Sequence, residues 1–89
     1  MRESDVESKY CKLVKALGGL AYKFISPNKR GVPDRLILYP IPVKYRELIA
    51  KYIKFVEFKA PGKKPRPEQI REHKRLQQIG LKVEVIDEV

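Results

Sequence analysis

Apolar residues along this chain follow two periods, one helical and one alternating, and together they predict an α/β protein. The first run is helical: after Ser4, apolar positions recur every three or four residues until Gly18 and Gly19 end the pattern. We expect Ser4 to cap this helix, with a glutamate at the third helical position completing a capping box. The buried stripe of the helix would consist of Val6, Tyr10, Leu13, Val14 and Leu17.

Segments rich in β-branched and aromatic residues predict the first three strands. These strands cover residues 20–26, 35–39 and 53–59. A turn-rich segment, residues 27–33, separates the first two, and the second is nearly all apolar, so we expect cover on both of its faces. After Pro40 and Pro42, helical spacing of apolar residues predicts a short amphipathic helix over residues 43–52. Its stripe is formed by Tyr45, Leu48, Ile49 and Tyr52.

The remaining third of the chain predicts a loop, a helix and a last strand. The loop, residues 60–66, is rich in lysine and proline, and the helix begins at Pro67 and ends before Gly80. Residues 81–86 alternate between apolar and polar side chains and predict the last strand. The inner stripe of the helix would consist of Ile70, His73, Leu76 and Ile79. We therefore expect one domain over residues 1–89.

The net charge of the chain indicates what kind of partner it binds. The 89 residues carry 20 Lys and Arg against 11 Asp and Glu, a formal charge of +9, which favours a polyanionic partner such as nucleic acid. The single cysteine, Cys11, excludes an intramolecular disulfide, and the sequence contains no zinc-type cluster. Without a signal peptide or a membrane-length apolar stretch, we expect a cytoplasmic protein with no membrane partner.

A small domain gains stability from pairing with a second copy, so we also expect a homodimer. The stripe of the inserted helix is the predicted contact, because an 89-residue domain has little other core for it. The alternative is that this helix packs on its own sheet.

Candidate chemistry lies at two strands. Asp34 stands at the entrance of the second strand, and Glu57 and Lys59 lie two positions apart on the third, so they share a face. Neighbouring Phe55, Val56 and Phe58 predict that this strand is buried, where a carboxylate and an ammonium group are costly. Taken singly, Asp34 could be a turn residue and Lys59 a surface residue.

Two carboxylates and a lysine together would form a metal site beside a fixed positive charge. We expect Asp34, Glu57 and the backbone carbonyl of Phe58 to bind Mg²⁺ or Mn²⁺, because Mg²⁺ prefers hard oxygen ligands. Lys59 would hold the attacking water or neutralise charge on a phosphate. A metal ion and a nearby lysine are the minimum set of groups needed to hydrolyse a phosphodiester bond.

Four elements in this order resemble a known nuclease domain. They are Glu7, Gly31-Val32-Pro33-Asp34, Val56-Glu57-Phe58-Lys59-Ala60-Pro61-Gly62 and Pro67-Glu68-Gln69. They resemble the virus-type replication-repair nuclease (VRR-Nuc) domain of the PD-(D/E)xK superfamily, most closely its stand-alone bacteriophage type, from about Ser4 onward. The long, helical linker between the second and third strands departs from that pattern.

The resemblance implies a restriction-endonuclease-like αβββαβ core, with a mixed central sheet flanked by helices. It also implies a Mg²⁺- or Mn²⁺-dependent DNA endonuclease acting on branched DNA, with a Holliday junction or a flap as substrate, in a bacterial host if phage-encoded. Glu7 would then point at the site, as part of the second shell or as a ligand of a second metal, rather than only cap the helix. Gln69 would support the lysine or the substrate at a helix start that favours phosphate.

Three further assignments complete the expected site. His73, one turn after Gln69, is expected to be a packed histidine rather than a catalytic base. Two basic clusters in loops flanking the site are expected to bind DNA phosphates. They are Lys29 and Arg30, and Lys63, Lys64 and Arg66.

Two other functional classes remain open from the sequence. One is a non-catalytic nucleic-acid-binding module on the same fold, which would have no use for carboxylates facing phosphates. The other is a small ribosome-associated or RNA-processing protein, which is supported by composition alone.

Overall fold

The computed structural model describes residues 1–25 and 28–89, and its elements follow the predicted order. They are α1 (Glu3–Ala16), β1 (Leu20–Lys23), β2 (Arg35–Leu38), α2 (Val43–Ala50), β3 (Lys54–Phe58), α3 (Pro67–Gln78) and β4 (Lys82–Ile86). The predicted end of the first strand at Ser26, and Pro27 at the start of the predicted turn, lie outside the described residues. Among the described residues, no helix combines the length and the apolar character needed to cross a membrane.

The chain divides into two compact units, Met1–Pro40 and Ile41–Val89, and each contains one two-stranded sheet. In unit 1, β1 and β2 are antiparallel, whereas in unit 2, β3 and β4 are parallel. The protein is therefore a mixed α/β structure with three helices over the described residues. The single mixed sheet that the resemblance implies is not confirmed.

Unit 1 is held by the end of α1 against the β1–β2 hairpin. Val14 is 1% exposed, and a Cβ atom on Gly19 would lie 2.9 Å from both Val14 Cγ1 and the carbonyl oxygen of Leu38. Only glycine therefore allows the chain after α1 to approach the hairpin this closely.

Two predictions for α1 are wrong. The helix begins at Glu3, and the backbone N–H of Arg2 donates to Asp5 Oδ2 at 3.2 Å, so Ser4 lies inside the first turn and does not cap it. The predicted stripe is buried only at Val14, because two strands of four residues cover little of a 14-residue helix. The remaining stripe residues are more than half exposed: Val6, Tyr10, Leu13 and Leu17.

The second strand of the same unit also differs from its prediction. β2 is half-buried along its length, whereas the sequence predicts cover on both of its faces.

Unit 2 is a β–α–β arrangement, in which α3 connects two parallel strands as such a pairing requires. Its buried side chains are Leu76, near the end of α3, and Leu81, just before β4, each 5% exposed. The backbone N–H of Leu81 donates to the carbonyl oxygen of Leu76 at 3.0 Å, so the turn between them is closed. Of the predicted α3 stripe, Leu76 is buried, whereas Ile70 is 42% exposed and so is not covered as predicted.

The first residues of β3 and β4 bring two lysines together. Lys54 and Lys82 are partners in the register, and like charges directly opposite each other destabilise a sheet. Glu84 accepts hydrogen bonds from both ammonium groups, at 3.1 Å from Lys54 and 3.2 Å from Lys82. These hydrogen bonds lower the pKa of Glu84, and the one from Lys54 has the larger effect. One carboxylate thus offsets the repulsion of the pair.

The inserted helix, α2, is attached to the turn between α3 and β4. The backbone N–H of Ile41 donates to the carbonyl oxygen of Ile79 at 2.8 Å, and Arg46 Nε donates to the carbonyl oxygen of Ile41, also at 2.8 Å. The Arg46 side chain fills the space beside Gly80, where a Cβ atom would lie 2.6 Å from Nε. Leu48 stays exposed, and the homodimer predicted through this helix stays a prediction.

We expect Gly80→Ala to lower the free energy of unfolding by about 2–3 kcal/mol. Alanine at the φ of +106° costs about 1–2 kcal/mol of backbone strain, and displacing Arg46 breaks a hydrogen bond worth about 1 kcal/mol more. Urea unfolding measures the loss. The matched control is Gly62→Ala, which has a φ of +80° and no atom within 4 Å of its Cβ, and should show the strain alone. If both variants lose the same stability, Arg46 does not secure this turn.

Candidate functional site

The alternation of β3 places Glu57 and Lys59 on one face, as predicted. Phe55, Glu57 and Lys59 are half-buried, whereas Val56 and Phe58 are exposed, so the two faces of the strand differ. Lys59 follows the last residue of β3, but its backbone N–H donates to the carbonyl oxygen of Ile86 at 3.0 Å and keeps the strand geometry. The expected burial around Phe58 is wrong: this side chain is 71% exposed, because the sheet of unit 2 carries α3 on its other face.

Glu57 meets His73 of α3. Glu57 Oε1 lies 3.4 Å from His73 Nε2, with the glutamate side chain 27% exposed and the histidine side chain 16% exposed. His73 is thus packed, as predicted, and it also contacts the carboxylate that is the main candidate ligand of this unit.

Glu57 and His73 share a cavity of about 480 Å³ with Gln69. Its apolar lining comes from both strands and from the helix: Phe55, Val56, Leu76 and Val83. Four further charged residues of α3 also line it: Glu68, Arg71, Glu72 and Arg75. Polar groups that converge on a cavity fix the orientation of a ligand. The arrangement can hold a cation or a polar group against Glu57.

Gln69 also has a local structural role. Its Oε1 accepts from the backbone N–H of Arg66 at 2.9 Å, which closes the start of α3. This structural role is compatible with the functional role that the resemblance implies, because Gln69 also lines the cavity. At this helix start the pKa of Glu68 is lowered, first by the hydrogen bond from its own backbone N–H and then by Arg66. The charge of Lys59 acts in the same direction, so Lys59 lies near the start of α3.

In unit 1, Glu7 is bound by Arg35. Arg35 Nε donates to Glu7 Oε2 at 2.6 Å, and a second guanidinium nitrogen, Nη1, donates to the carbonyl oxygen of Ala21 at 3.3 Å. The hydrogen bond from Arg35 lowers the pKa of Glu7 and raises the pKa of Arg35 in turn. Glu7 therefore does not cap α1; its carboxylate connects the helix to β2.

Asp34 lies beside this pair. Its carbonyl oxygen accepts from the backbone N–H of Phe24 at 2.9 Å, which extends the β1–β2 ladder by one step and fixes Asp34 at the strand entrance, as predicted. The side chain is exposed, and it lines a second cavity, of about 370 Å³, together with Glu7 and Arg35. Unit 1 thus brings Glu7 and Asp34 to one concave surface.

The predicted metal ligands are therefore divided between the units. Glu7 and Asp34 belong to unit 1, whereas Glu57, Lys59 and Gln69 belong to unit 2. Within neither unit do the described residues form a group of three or more His, Cys, Asp or Glu side chains that could hold a metal ion. The ligand set of Asp34, Glu57 and the Phe58 carbonyl stays a prediction.

The loop after β3 forms a closed turn that presents basic side chains. The backbone N–H of Lys63 donates to the carbonyl oxygen of Ala60 at 3.0 Å, with Pro61 and Gly62 (φ +80°) in the central positions that a type II turn favours. Asp87 Oδ2 accepts from the Gly62 N–H at 3.2 Å and attaches the turn to the end of β4.

All five predicted phosphate-binding residues are exposed: Lys29, Arg30, Lys63, Lys64 and Arg66. Lys29 and Arg30 line a concave surface of about 380 Å³ in unit 1. Arg66 differs from the others, because its Nε donates to Glu68 Oε1 at 2.8 Å. The free basic charge of the second cluster thus resides mainly in Lys63 and Lys64.

Two contacts of the site, those made by Arg35 and by His73, are not predicted from the sequence. Arg35 opens an otherwise apolar strand, and an arginine at such a position needs an acidic partner. His73 lies four residues after Gln69, on the same face of the helix, and this spacing was the available signal.

The chain is similar to a curated bacteriophage protein. It is 48% identical over 87 residues to "Putative nuclease p44" of Acyrthosiphon pisum secondary endosymbiont phage 1. The aligned region covers 98% of this chain and 84% of the phage protein. No protein-family profile matches the chain.

The Glu7–Arg35 ion pair predicts a dependence of stability on pH. Since Arg35 holds the pKa of Glu7 below its ordinary value of 4.5, the pair should stabilise the fold above about pH 4.5 and lose that effect as the pH falls through the folded-state pKa. Urea unfolding of the wild type and Glu7→Gln between pH 3 and 7 measures this. The two proteins should differ at neutral pH and converge in acid, whereas Glu47→Gln, at an exposed position on α2, should follow the wild type throughout. A constant difference across the range would exclude the pair as its cause.

Proposed function

Because the chain belongs to the same family as the phage protein named "Putative nuclease p44", we propose that it is a nuclease that hydrolyses phosphodiester bonds in DNA with the help of Mg²⁺ or Mn²⁺. The observation that carries this proposal is the half-buried pair of Glu57, in β3, and Lys59, just after β3, on the same face of the extended chain. A carboxylate and an ammonium group kept on an apolar strand are costly, and a site for a cation and a phosphate explains both.

The oxygen donors of the chain suit Mg²⁺. This ion usually takes one or two protein carboxylates and completes its octahedron with waters and substrate phosphate oxygens. Asp34 and Glu57 would supply those two carboxylates, and the Phe58 carbonyl a third oxygen; Glu7 would support them from beside Asp34. When bound, the metal ion would make water more acidic and offset charge on the phosphate.

The other polar groups of the site would act on the phosphate and the attacking water. Lys59, near the start of α3, would neutralise charge that develops on the phosphate in the transition state or hold the water in place. The backbone N–H groups at the start of α3, where Gln69 lies, favour an anion. Together these groups would bind one phosphate beside Glu57.

The substrate we propose is DNA, and branched DNA in particular. The exposed basic clusters, Lys29 with Arg30 and Lys63 with Lys64, would contact phosphates on either side of the cut. Such contacts carry no sequence information, so shape would decide the substrate. A homodimer, which we also propose, would supply two cuts on a symmetric four-way junction.

A non-catalytic nucleic-acid-binding module is the second candidate. One observation favours it: the formal charge of +9 and the exposed basic residues account for binding to nucleic acid without any catalytic site. The acidic residues distinguish the candidates, because removing carboxylates cannot abolish an activity that the protein lacks.

We expect Asp34→Ala and Glu57→Ala each to abolish cleavage while leaving DNA affinity unchanged or higher, since a negative charge near the phosphates is removed. Labelled linear, flapped and four-way DNA, incubated with Mg²⁺ or with EDTA, provide the assay. Glu47→Ala is the control, because it removes an exposed carboxylate from α2. Normal cutting by Asp34→Ala would overturn the site assignment, and cutting in EDTA would overturn the metal dependence.

The basic loop should set affinity rather than chemistry. Replacing Lys63, Lys64 and Arg66 by alanine should weaken binding to every DNA shape and reduce the slope of log K against log salt by about two to three units. The matched control removes three exposed lysines of α1, Lys9, Lys12 and Lys15, and should change the slope little. Equal effects of the two triple variants would show that only net charge matters.

A further inference from the structure

His73 is placed by the packing of α3 rather than by the loops around the cavity. Gln69, His73 and Leu76 lie at intervals of four and three residues, so they share one face of the helix. Leu76 is buried and fixes the rotation of that face over the sheet. The histidine, 16% exposed, is thereby directed at Glu57 rather than at solvent.

The chemistry of the pair determines which atom carries the shared hydrogen. The oxygens of an ionised carboxylate only accept, so a hydrogen bond between His73 Nε2 and Glu57 Oε1, which lie 3.4 Å apart, needs the tautomer that carries its hydrogen on Nε2. A ring in that tautomer donates to Oε1 and leaves the second carboxylate oxygen, Oε2, available to a ligand. The ring is a poor Mg²⁺ ligand in comparison, because this ion prefers oxygen.

We propose that His73 is a positioning residue: its Nε2–H holds Oε1 of Glu57 and orients the carboxylate for a divalent cation. The inference rests on the proposed function, since it assigns the support of the same site. Without this contact, the flexible glutamate must be ordered when the cation binds, and the cation binds more weakly.

The first test removes the donor and keeps the volume. His73→Leu should weaken binding of Mn²⁺ to the protein without DNA by about tenfold or more, as loss of a group that orients a metal ligand typically does. Mn²⁺ binding is measured by the electron paramagnetic resonance signal of the free ion. The Mg²⁺ concentration for half-maximal cleavage should rise by a similar factor, with the rate restored at saturating Mg²⁺. Unchanged Mn²⁺ affinity in a folded His73→Leu protein overturns the proposal.

A matched pair of amides separates hydrogen bonding from packing. In His73→Gln the amide nitrogen falls near the position of Nε2, whereas in His73→Asn, one methylene shorter, it does not reach Glu57. We expect His73→Gln to bind Mn²⁺ within about threefold of the wild type, and His73→Asn to resemble the leucine variant. Equal affinity in the two amide variants, whether retained or lost, overturns the proposal, and this comparison decides the matter if His73→Leu does not fold.

The wild type separates this inference from the proposed function. A wild-type protein that neither binds Mn²⁺ nor cuts any DNA overturns the nuclease proposal and the inference together. A wild type that binds Mn²⁺ and cuts, with His73 variants that bind the ion equally well, overturns the role of His73 alone.

Discussion

The burial of Leu76 and Leu81 on either side of one turn is the constraint on which the candidate site of unit 2 depends. These two leucines are the buried side chains among the described residues of this unit, and burying each contributes about 1.5–3 kcal/mol. The turn between them requires the positive φ of Gly80, and Arg46 covers it from α2. With the end of α3 fixed in this way, His73, one turn earlier in the helix, lies over Glu57.

Glu7 and Glu57, the two glutamates of the candidate site, differ in how far basic partners balance the charge of their carboxylates. Glu7 accepts a charge-assisted hydrogen bond of 2.6 Å from Arg35, which balances its charge. Among the described residues, Glu57 has a 3.4 Å contact with His73 and no ion pair with a lysine or an arginine. Of the two, Glu57 therefore has more to gain from a cation, and Glu7 is better suited to stabilise the connection of α1 to β2, beside Asp34.

Periodicity predicted the elements well because it is a local property, but it could not show which faces would be covered. The inserted helix begins at Val43, as predicted, and the β3 alternation placed Glu57 and Lys59 on one face. The predicted start of α1 is wrong because neighbouring Ser, Asp and Glu residues compete to cap the first turn. The partners of the carboxylates were missed for another reason: Arg35 is 28 residues from Glu7, and no local pattern reports a contact over that distance.

The distribution of ion pairs distinguishes Glu57 from the other half-buried carboxylates of the chain. In a chain of charge +9, several glutamates already have basic partners at 2.6–3.2 Å. They are Glu7, Glu68, Glu72 and Glu84. In the part of the chain that the structure describes, Glu57 is the half-buried carboxylate that forms no ion pair with a lysine or an arginine; the other carboxylates without such a pair, Asp34 among them, are exposed. A basic protein that binds nucleic acid through surface charge alone gains nothing from a half-buried carboxylate without a basic partner. A divalent cation bound together with a phosphate, as proposed above, would neutralise the charge of Glu57 and offset the cost of burying it.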